Sequence, residues 1–413
     1  MGKRIVILGA GFGGLHTAII LGRKAGQTNE VILIDRNSHH TFTPLLYEVA
    51  TTPKEVANYI ELHEITTYEI SNIFKGLPVR FIQSDISKVD IMNGDIHLAS
   101  GEKIKYDYLV VAIGSEPNFF NIPNIRESSF QFKTFKDALR IRDAVWDLVS
   151  QGQSPKIVVG GGGSTGVELA AELQHWLYYI KREKKDCEGQ VTLIDGGPTI
   201  LNGFSKTVID KVTRRLTKLG VCVLNGSPIG NVSNNKVVLK NGQEIKFDLF
   251  IWSGGVKANS LMQSNPLKFE EKGRSGVTPN MTCLPFDPKL KLYGKVYGIG
   301  DIVCAYSENG LSVPMVARAA ISQGTVAAKN ILEELKGKNP THIYKPINYP
   351  YIIPVGGKYA VAKIGPIVFS GFLGWLVKGL IELGYLFSLI PTGKALKVWV
   401  RGLKIFIQND RLG

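Results

Sequence analysis

Cysteine is scarce in this chain and never closely paired. The 413 residues include four cysteines, Cys187, Cys222, Cys283 and Cys304, and none of them forms a Cys-x-x-Cys motif. A redox dithiol needs two thiols at short spacing, so chemistry based on a disulfide that opens and closes is not expected. The four residues are predicted to be small apolar side chains in packing positions.

The chain also lacks metal-ligand spacing patterns, and its acidic residues are fewer than its basic ones. The seven histidines show no metal-binding spacing, so no metal site is predicted, and His39 and His40 are interpreted as part of a loop. The 49 basic residues exceed the 35 acidic ones, which gives a formal net charge of +14. That excess suits an anionic membrane or nucleic acid. Because the chain has no nucleic-acid reader motif and its basic residues are dispersed, nucleic acid is not an expected partner.

Two glycine-rich motifs of the form Gly-x-Gly-x-x-Gly are the most informative feature. The first contains Gly9, Gly11 and Gly14, and the second contains Gly161, Gly163 and Gly166. Each follows a short β-branched strand and opens a helix, as a dinucleotide-binding turn requires. The glycines permit a tight turn, the approach of a pyrophosphate and the packing of helix on strand. The sequence therefore predicts an α/β fold with two Rossmann-like nucleotide-binding domains.

An acidic residue ends the second strand of each unit. Asp35 stands 26 residues after Gly9, and Asp195 follows the strand 191–194 of the second unit. An acid at this position hydrogen-bonds a ribose hydroxyl of the bound nucleotide. Asp195 would repel a 2′-phosphate, and Gly196 and Gly197 supply no arginine to bind one, so the second unit is expected to bind NADH.

A third motif indicates which nucleotide binds where. Residues 295–301 form a predicted strand that runs into Gly300-Asp301, and an apolar helix is predicted from Met315. In flavoproteins with two such domains, this aspartate accepts hydrogen bonds from the ribityl hydroxyls and the helix N-terminus faces the isoalloxazine. The first motif is therefore expected to hold FAD.

Several segments together make the chain resemble the single-subunit type II NADH:quinone oxidoreductases, also called alternative NADH dehydrogenases. Besides the two motifs they are residues 34–37, 44–50, 106–115 and 298–301 and a hydrophobic, basic C-terminus. The resemblance implies a peripheral respiratory-chain flavoenzyme that oxidises NADH and reduces a quinone through FAD without pumping protons. It also implies that Phe12, Arg36 and Ala112 contact FAD.

The resemblance further implies that Glu168, two residues after the second motif, lies close to the nicotinamide and flavin rings. A carboxylate there would orient the nicotinamide or transfer a proton, which makes Glu168 the predicted catalytic residue. The alternative is a carboxylate that only stabilises the positive end of its helix.

The predicted quinone side departs from the family. The family pattern is Ala-Gln-x-Ala-x-Gln-Gln-Gly, whereas this chain has Arg318 and Ser322 in place of the first two glutamines and keeps Gln323. By resemblance, Pro44, Ala317, Arg318 and Gln323 are expected beside the quinone. Arg318 either stabilises a reduced flavin or quinone oxyanion or is a surface residue of a shifted helix.

Two apolar segments end the chain. Residues 367–390 are long enough to span a bilayer, but Lys378 and Glu382 within them favour a helix half sunk in a surface or packed in a dimer contact. The next helix is predicted to be amphipathic, with Leu396, Trp399, Val400, Leu403, Phe406 and Ile407 on one face and Lys394, Lys397, Arg401 and Lys404 on another. We expect monotopic attachment to anionic lipid at the cytoplasmic face of the cell membrane. A homodimer through these helices stays open.

The predicted domains are an FAD-binding domain in two parts, 1–118 and 256–335, an NADH-binding domain, 119–255, and a membrane-association region, 341–413. Met1 to Arg4 lead directly into the first strand, so no signal segment is expected. The alternatives are a sulfide:quinone oxidoreductase, another FAD- and NAD(P)H-dependent reductase, and a non-enzymatic flavin or NADH sensor. Sulfide oxidation is less favoured because no cysteine precedes Cys187.

Overall fold

The computed structural model describes residues 2–183 and 188–409, so Cys187 lies outside the described residues. The chain divides into two compact units. The first unit takes Met1–His40, Tyr68–Glu116 and Val256–Tyr349, and the second takes Thr41–Thr67, Pro117–Gly255 and Pro350–Gly413. The sequence assigned residues 41–67 to the first FAD-binding segment, whereas their contacts group them with the second unit.

Helices account for most of the chain between the strands. In chain order they are α1 (Phe12–Lys24), α2 (Leu46–Thr51), α3 (Tyr59–Thr66), α4 (Ile70–Ile73), α5 (Ile125–Ser128), α6 (Phe135–Ser150), α7 (Ser164–Glu183), α8 (Lys206–Leu219), α9 (Ala317–Glu334), α10 (Phe372–Leu389) and α11 (Thr392–Asn409). The helix predicted from Met315 thus begins at Ala317.

A five-stranded parallel sheet organises the first unit. Its strands, in spatial order, are Lys295–Gly298, Tyr108–Val111, Arg4–Leu8, Glu30–Asp35 and Val79–Gln83. Residues 5–8 are fully buried, because helices of a parallel sheet cover both of its faces. The unit also holds an antiparallel sheet of Ile86–Asp90, Asp95–Leu98 and Lys103–Lys105, and a strand pair Ser275–Gly276 and Val303–Cys304.

The second unit repeats the parallel arrangement. Its sheet has the spatial order Phe130–Gln131, Leu249–Trp252, Lys156–Gly160, Gln190–Ile194 and Cys222–Leu224. Two antiparallel sheets accompany it, one of Ile229–Ser233, Lys236–Leu239 and Glu244–Lys246, the other of Tyr351–Pro354, Ala360–Ile364 and Ile367–Gly371. The prediction of an α/β fold with two Rossmann-like sheets is confirmed.

Four short strands lie where the chain passes from one unit to the other. They are His39–Thr41, Thr67–Glu69, Ser115–Pro117 and Val256–Ala258. The prediction of a loop at His39 and His40 is therefore wrong. Extended backbone there carries the chain away from the strand that ends in Asp35.

The apolar segment 367–390 is not one continuous helix. Residues Ile367–Gly371 form an edge strand, and α10 starts only at Phe372. Gly371 separates the two elements with a φ of +94°, a conformation that favours glycine. Among the described residues, α10 is a helix long and apolar enough to cross a membrane by length and composition alone.

Candidate functional site

In the first unit a carboxylate fixes the glycine-rich turn. Gly9 adopts a φ of +98° and donates its N–H to the Ile34 carbonyl at 2.8 Å. The Ala10 N–H donates to Asp35 Oδ2 at 2.7 Å, and the Asn37 N–H donates to Oδ1 at 2.8 Å. The carboxylate predicted to bind the ribose therefore also holds the backbone of the turn.

The second unit contains the same arrangement. Gly161, with a φ of +107°, donates its N–H to the Ile194 carbonyl at 2.7 Å. Asp195 accepts from the Gly162 N–H at 2.5 Å and from the Gly197 N–H at 2.7 Å. Two turns far apart in sequence thus have the same geometry.

The middle glycine of each motif leaves room for a ligand. A Cβ atom built on Gly11 or Gly163 would meet no protein atom within 4 Å, whereas a Cβ on Gly14 or Gly166 would lie 1.9 Å from the carbonyl oxygen of the first glycine of its motif. The first turns of α1 and α7 contain no acidic residue. Each unit therefore has open space beside a helix N-terminus whose partial positive charge no acidic side chain neutralises. This arrangement fits a dinucleotide pyrophosphate.

The predicted flavin turn is built from two distant segments. Gly300, with a φ of +76°, donates its N–H to Gln323 Oε1 at 2.7 Å. The Ser115 hydroxyl donates to Asp301 Oδ2 at 2.7 Å. Ala112 lies beside the first motif, because a Cβ on Gly9 would be 2.4 Å from the Ala112 carbonyl oxygen. The first unit therefore brings together the first motif, Asp35, Ala112 and the Gly300-Asp301 turn.

The remaining residues predicted near FAD differ in their surroundings. The Phe12 ring meets the buried His40 ring edge-on, and His40 Nδ1 lies 2.9 Å from the Ala10 carbonyl oxygen. Burial lowers the pKa of His40 to about 4, so a neutral imidazole lies beside the turn at physiological pH. Arg36 instead forms an exposed ion pair with Asp85 at 3.3 Å.

The residues predicted on the quinone side do not share one environment. Pro44 is exposed in a 3-10 turn, Thr43–Leu45, and Arg318 is exposed in the first turn of α9. Ala317 is partly exposed. Gln323 is buried, and its amide holds the Gly300 turn. A contact of these residues with quinone stays a prediction.

A buried cation, which the sequence did not identify as a site residue, lies in the second unit. Lys378 Nζ of α10 is 3.3 Å from Glu48 Oε1 of α2 and 3.0 Å from Glu382 Oε1. The three side chains are 11%, 1% and 13% exposed. Lys378 Nζ also lies 5.1 Å from the centroid of the Tyr47 ring and 5.5 Å from that of Phe406. We call these five residues the ammonium cluster.

Two neighbours of this cation have strongly shifted pKa values. Burial raises the pKa of Glu168 to about 8, although the positive charge of Lys378 opposes the shift. With this pKa the carboxyl of Glu168 is mostly protonated at pH 7. Burial and then the carboxylates of Glu48, Glu382, Glu172 and Glu168 raise the pKa of Tyr47 far above its ordinary value.

The last helix has three faces, where the sequence predicted two. Ala395, Gly402 and Phe406 are buried, and Trp399 donates its indole N–H to the Gly379 carbonyl at 2.7 Å. Leu396, Val400 and Ile407 are about 40–45% exposed on a second face. The predicted basic residues Lys394, Lys397, Arg401 and Lys404 are all exposed. The predicted amphipathic helix is present, and protein covers one half of its apolar face while the other half is open.

Two alanine substitutions distinguish the glycine that leaves room for a ligand from the glycine that helix packing requires. Gly163→Ala puts a methyl group into open space, so we expect a free energy of unfolding within about 0.5 kcal/mol of wild type. Its affinity for NADH should fall about tenfold or more, because the methyl group lies where a pyrophosphate must approach. Gly166→Ala should cost about 1 to 3 kcal/mol of stability from overpacking. Urea unfolding and NADH titration measure the two effects, and equal NADH affinity of Gly163→Ala and wild type would contradict the assignment.

Comparison with known proteins agrees with this geometry. Residues 3–324 match the pyridine nucleotide-disulphide oxidoreductase family. The chain is 28% identical to the type II NADH:quinone oxidoreductase Ndh of Mycobacterium tuberculosis over 96% of its own length and 87% of that protein. This relative supports the resemblance drawn from the sequence motifs.

Two solved structures have the same fold as the chain. The structure of NDH2 from Plasmodium falciparum in complex with NADH has a TM-score of 0.84 at 17% identity and covers 100% of this chain and 99% of that one. A sulfide:quinone oxidoreductase from Aquifex aeolicus has a TM-score of 0.78 at 19% identity and covers 95% and 92%. With the matched sequence motifs and the two nucleotide turns, the chain belongs to the pyridine nucleotide-disulphide oxidoreductase family.

Proposed function

We propose that this protein is an FAD-dependent NADH:quinone oxidoreductase of the type II class, attached peripherally to a membrane. The observation that carries the proposal is the duplicated turn, in which the Ala10 N–H is bound by Asp35 and the Gly162 N–H by Asp195. Two preformed dinucleotide sites in one chain match the need for one resident flavin and one exchanging nucleotide. The relatives with this activity over most of the chain support the choice of substrates.

Some of the site residues would bind the cofactors, and others would transfer protons or stabilise charge. FAD, when bound, accepts a hydride equivalent from NADH and delivers two electrons to the quinone. Gly11 and the N-terminus of α1 would receive the FAD pyrophosphate, with Asp301 at the ribityl chain. Gly163 and Asp195 would hold NADH. Asp195 also favours NADH over NADPH, because its carboxylate repels a 2′-phosphate.

Quinone reduction needs two protons as well as two electrons. The second unit contains a group suited to donate a proton and a group suited to stabilise the negative charge of a reduced quinone oxygen. Glu168, with its pKa raised to about 8, is a proton donor at neutral pH. The Lys378 ammonium, between two carboxylates, is a fixed positive charge that can stabilise a reduced quinone oxygen. We therefore assign Glu168 to proton transfer and Lys378 to charge stabilisation.

The sulfide alternative finds little support in the cysteines. Cys283 and Cys304 are buried and Cys222 is exposed, so the expectation of packing positions fails for Cys222. Burial raises the pKa of Cys283 to about 12, which keeps its thiol protonated and a poor nucleophile. The A. aeolicus structure shares the fold and carries no information on the substrate of this chain.

Anaerobic spectroscopy tests the proposed activity directly. Purified protein should be yellow, lose its flavin absorbance when NADH is added without oxygen, and recover it when a short-chain quinone follows. Bleaching by sulfide but not NADH would overturn the proposal in favour of sulfide oxidation. Bleaching by NADH without recovery would indicate another acceptor, and no bleaching would favour a sensor.

Replacing Glu168 tests its role as proton donor. Glu168→Gln should retain FAD but slow NADH:quinone turnover, by about a hundredfold if general-acid catalysis is lost. The wild-type rate should decline as the pH rises through about 8, because Glu168 then loses its proton, and this decline should be absent in the variant. Glu188→Gln, at an exposed carboxylate of the same unit, serves as the matched control. Wild-type rates and an unchanged pH profile in Glu168→Gln would exclude the role.

The C-terminal helices are the proposed attachment to the membrane. The exposed apolar residues of α11 lie beside its basic face, and Leu373, Leu376 and Leu380 of α10 are exposed as well. Such helices lie in the interface of a bilayer with cations at the level of anionic head groups. Lys378 of α10 is buried in an ion pair with Glu48. Its charge therefore faces protein, and the exposed side of α10 can contact a bilayer without the cost of placing that charge in an apolar environment. We propose peripheral attachment at the cytoplasmic face, and we leave a dimer through these helices as a further hypothesis.

Charge reversal on the basic face tests this attachment. The double variant Lys397→Glu and Lys404→Glu should bind phosphatidylglycerol-containing vesicles at least about thirtyfold more weakly than wild type, since each basic residue near such a surface contributes about 1 kcal/mol and each new carboxylate is repelled. Binding to neutral phosphatidylcholine vesicles should change much less. The control pair Lys336→Glu and Lys338→Glu reverses two exposed charges of the first unit. Equal vesicle binding by both double variants would refute an attachment through α11.

A further inference from the structure

The ammonium cluster is closed on one side by the last helix of the chain. The Phe406 ring of α11 faces Lys378 Nζ at 5.5 Å and is 5% exposed. The Tyr47 ring of α2 faces the same atom at 5.1 Å. A cation within about 6 Å of an aromatic centroid is attracted by the negative face of the ring.

A second residue of α11 holds the backbone next to the cation. The Trp399 indole N–H donates to the carbonyl of Gly379, the residue that follows Lys378, at 2.7 Å. Trp399 and Phe406 are seven residues apart and therefore lie on the same side of α11. One helix thus contacts both the backbone from which Lys378 projects and the charged end of its side chain.

Carboxylates alone leave the position of a lysine ammonium loosely determined. Lysine is a compact charge on a flexible four-carbon stem, and Glu48 and Glu382 attract it from two directions without fixing its angle. The two aromatic faces lie against the ammonium as well, where water would otherwise compete for it. A further titratable group near the cation is Glu168 of α7, whose pKa the charge of Lys378 lowers against the effect of burial.

We infer that Phe406 and Trp399 are positioning residues for Lys378, and that α11 thereby sets how well the reduced quinone oxygen is stabilised. This inference rests on the proposed role of Lys378 in quinone reduction. It assigns to α11 a task inside the site in addition to its outer surface. Neither residue contacts a reacting atom, so both act through the lysine.

Stepwise fluorination of the Phe406 ring tests the inference with little change of shape. Each added fluorine weakens the negative face of the ring and therefore its attraction for the ammonium. Protein carrying mono-, di- and trifluorophenylalanine at position 406 should show a progressive fall in the rate of flavin reoxidation by quinone, about threefold to thirtyfold across the series. The rate of flavin reduction by NADH should stay unchanged. Stopped-flow absorbance of the flavin measures both steps.

Matched substitutions separate positioning from folding. Phe387 of α10 is 44% exposed, and the same fluorinated residues there should leave both rates unchanged. Trp399→Phe removes the hydrogen bond to Gly379 and should slow reoxidation alone. A purely structural role for Phe406 would give no graded trend with fluorination, and a flat series would overturn the inference. If wild-type protein fails either half-reaction, the proposed function fails instead, so the two failures are distinguishable.

Discussion

A single hydrogen bond from a turn to a strand-end carboxylate underlies both nucleotide sites. Asp35 and Asp195 each bind the backbone N–H that follows the first glycine of a motif, at 2.7 Å and 2.5 Å. A charged acceptor makes this bond stronger than one to a neutral carbonyl. The turn is therefore rigid before a nucleotide arrives, and the open middle glycine and the helix N-terminus are preorganised for a pyrophosphate. The ribose contact predicted for these acids would use a group that the fold has already oriented.

The second constraint is the cost of a buried positive charge. An unpaired lysine in an apolar helix is strongly unfavourable, and Lys378 avoids this cost through Glu48 and Glu382. Two carboxylates against one ammonium leave an excess of negative charge in the region, and burial raises the pKa of Glu48 although Lys378 opposes this. Burial also raises the pKa of Glu168 to about 8, against the opposing charge of Lys378. The ion pairs that offset the cost of burying Lys378 and the burial that keeps Glu168 protonated are therefore separate effects in one region.

What could be predicted from the sequence depended on how local its signals were. In each nucleotide unit the strand, the glycines, the helix and the acid lie within 40 residues, so its fold and its turn residues were recognisable from the sequence. The partner of Lys378 is 330 residues away, and no pattern around Glu48 indicates a buried carboxylate. The apolar segment from Ile367 was ambiguous because strand and helix both tolerate such residues; the positive φ at Gly371 resolves it. Periodicity likewise could not tell which part of the apolar surface of α11 protein would cover.

The contacts of α11 link its inner and outer surfaces. A helix advances 100° per residue, so Val400 on the apolar outer face lies about 120° from Phe406 on the inside, and Lys397 on the basic face lies on the side opposite Phe406. Trp399 and Phe406 fix the rotation of the helix through Gly379 and Lys378. A rotation by one residue would turn a basic side chain toward the cluster in one direction and the exposed apolar face toward it in the other. The surface that α11 presents outward therefore depends on the contacts that hold the ammonium, so turning this helix to change the proposed membrane attachment would also disturb the charge at the proposed quinone site.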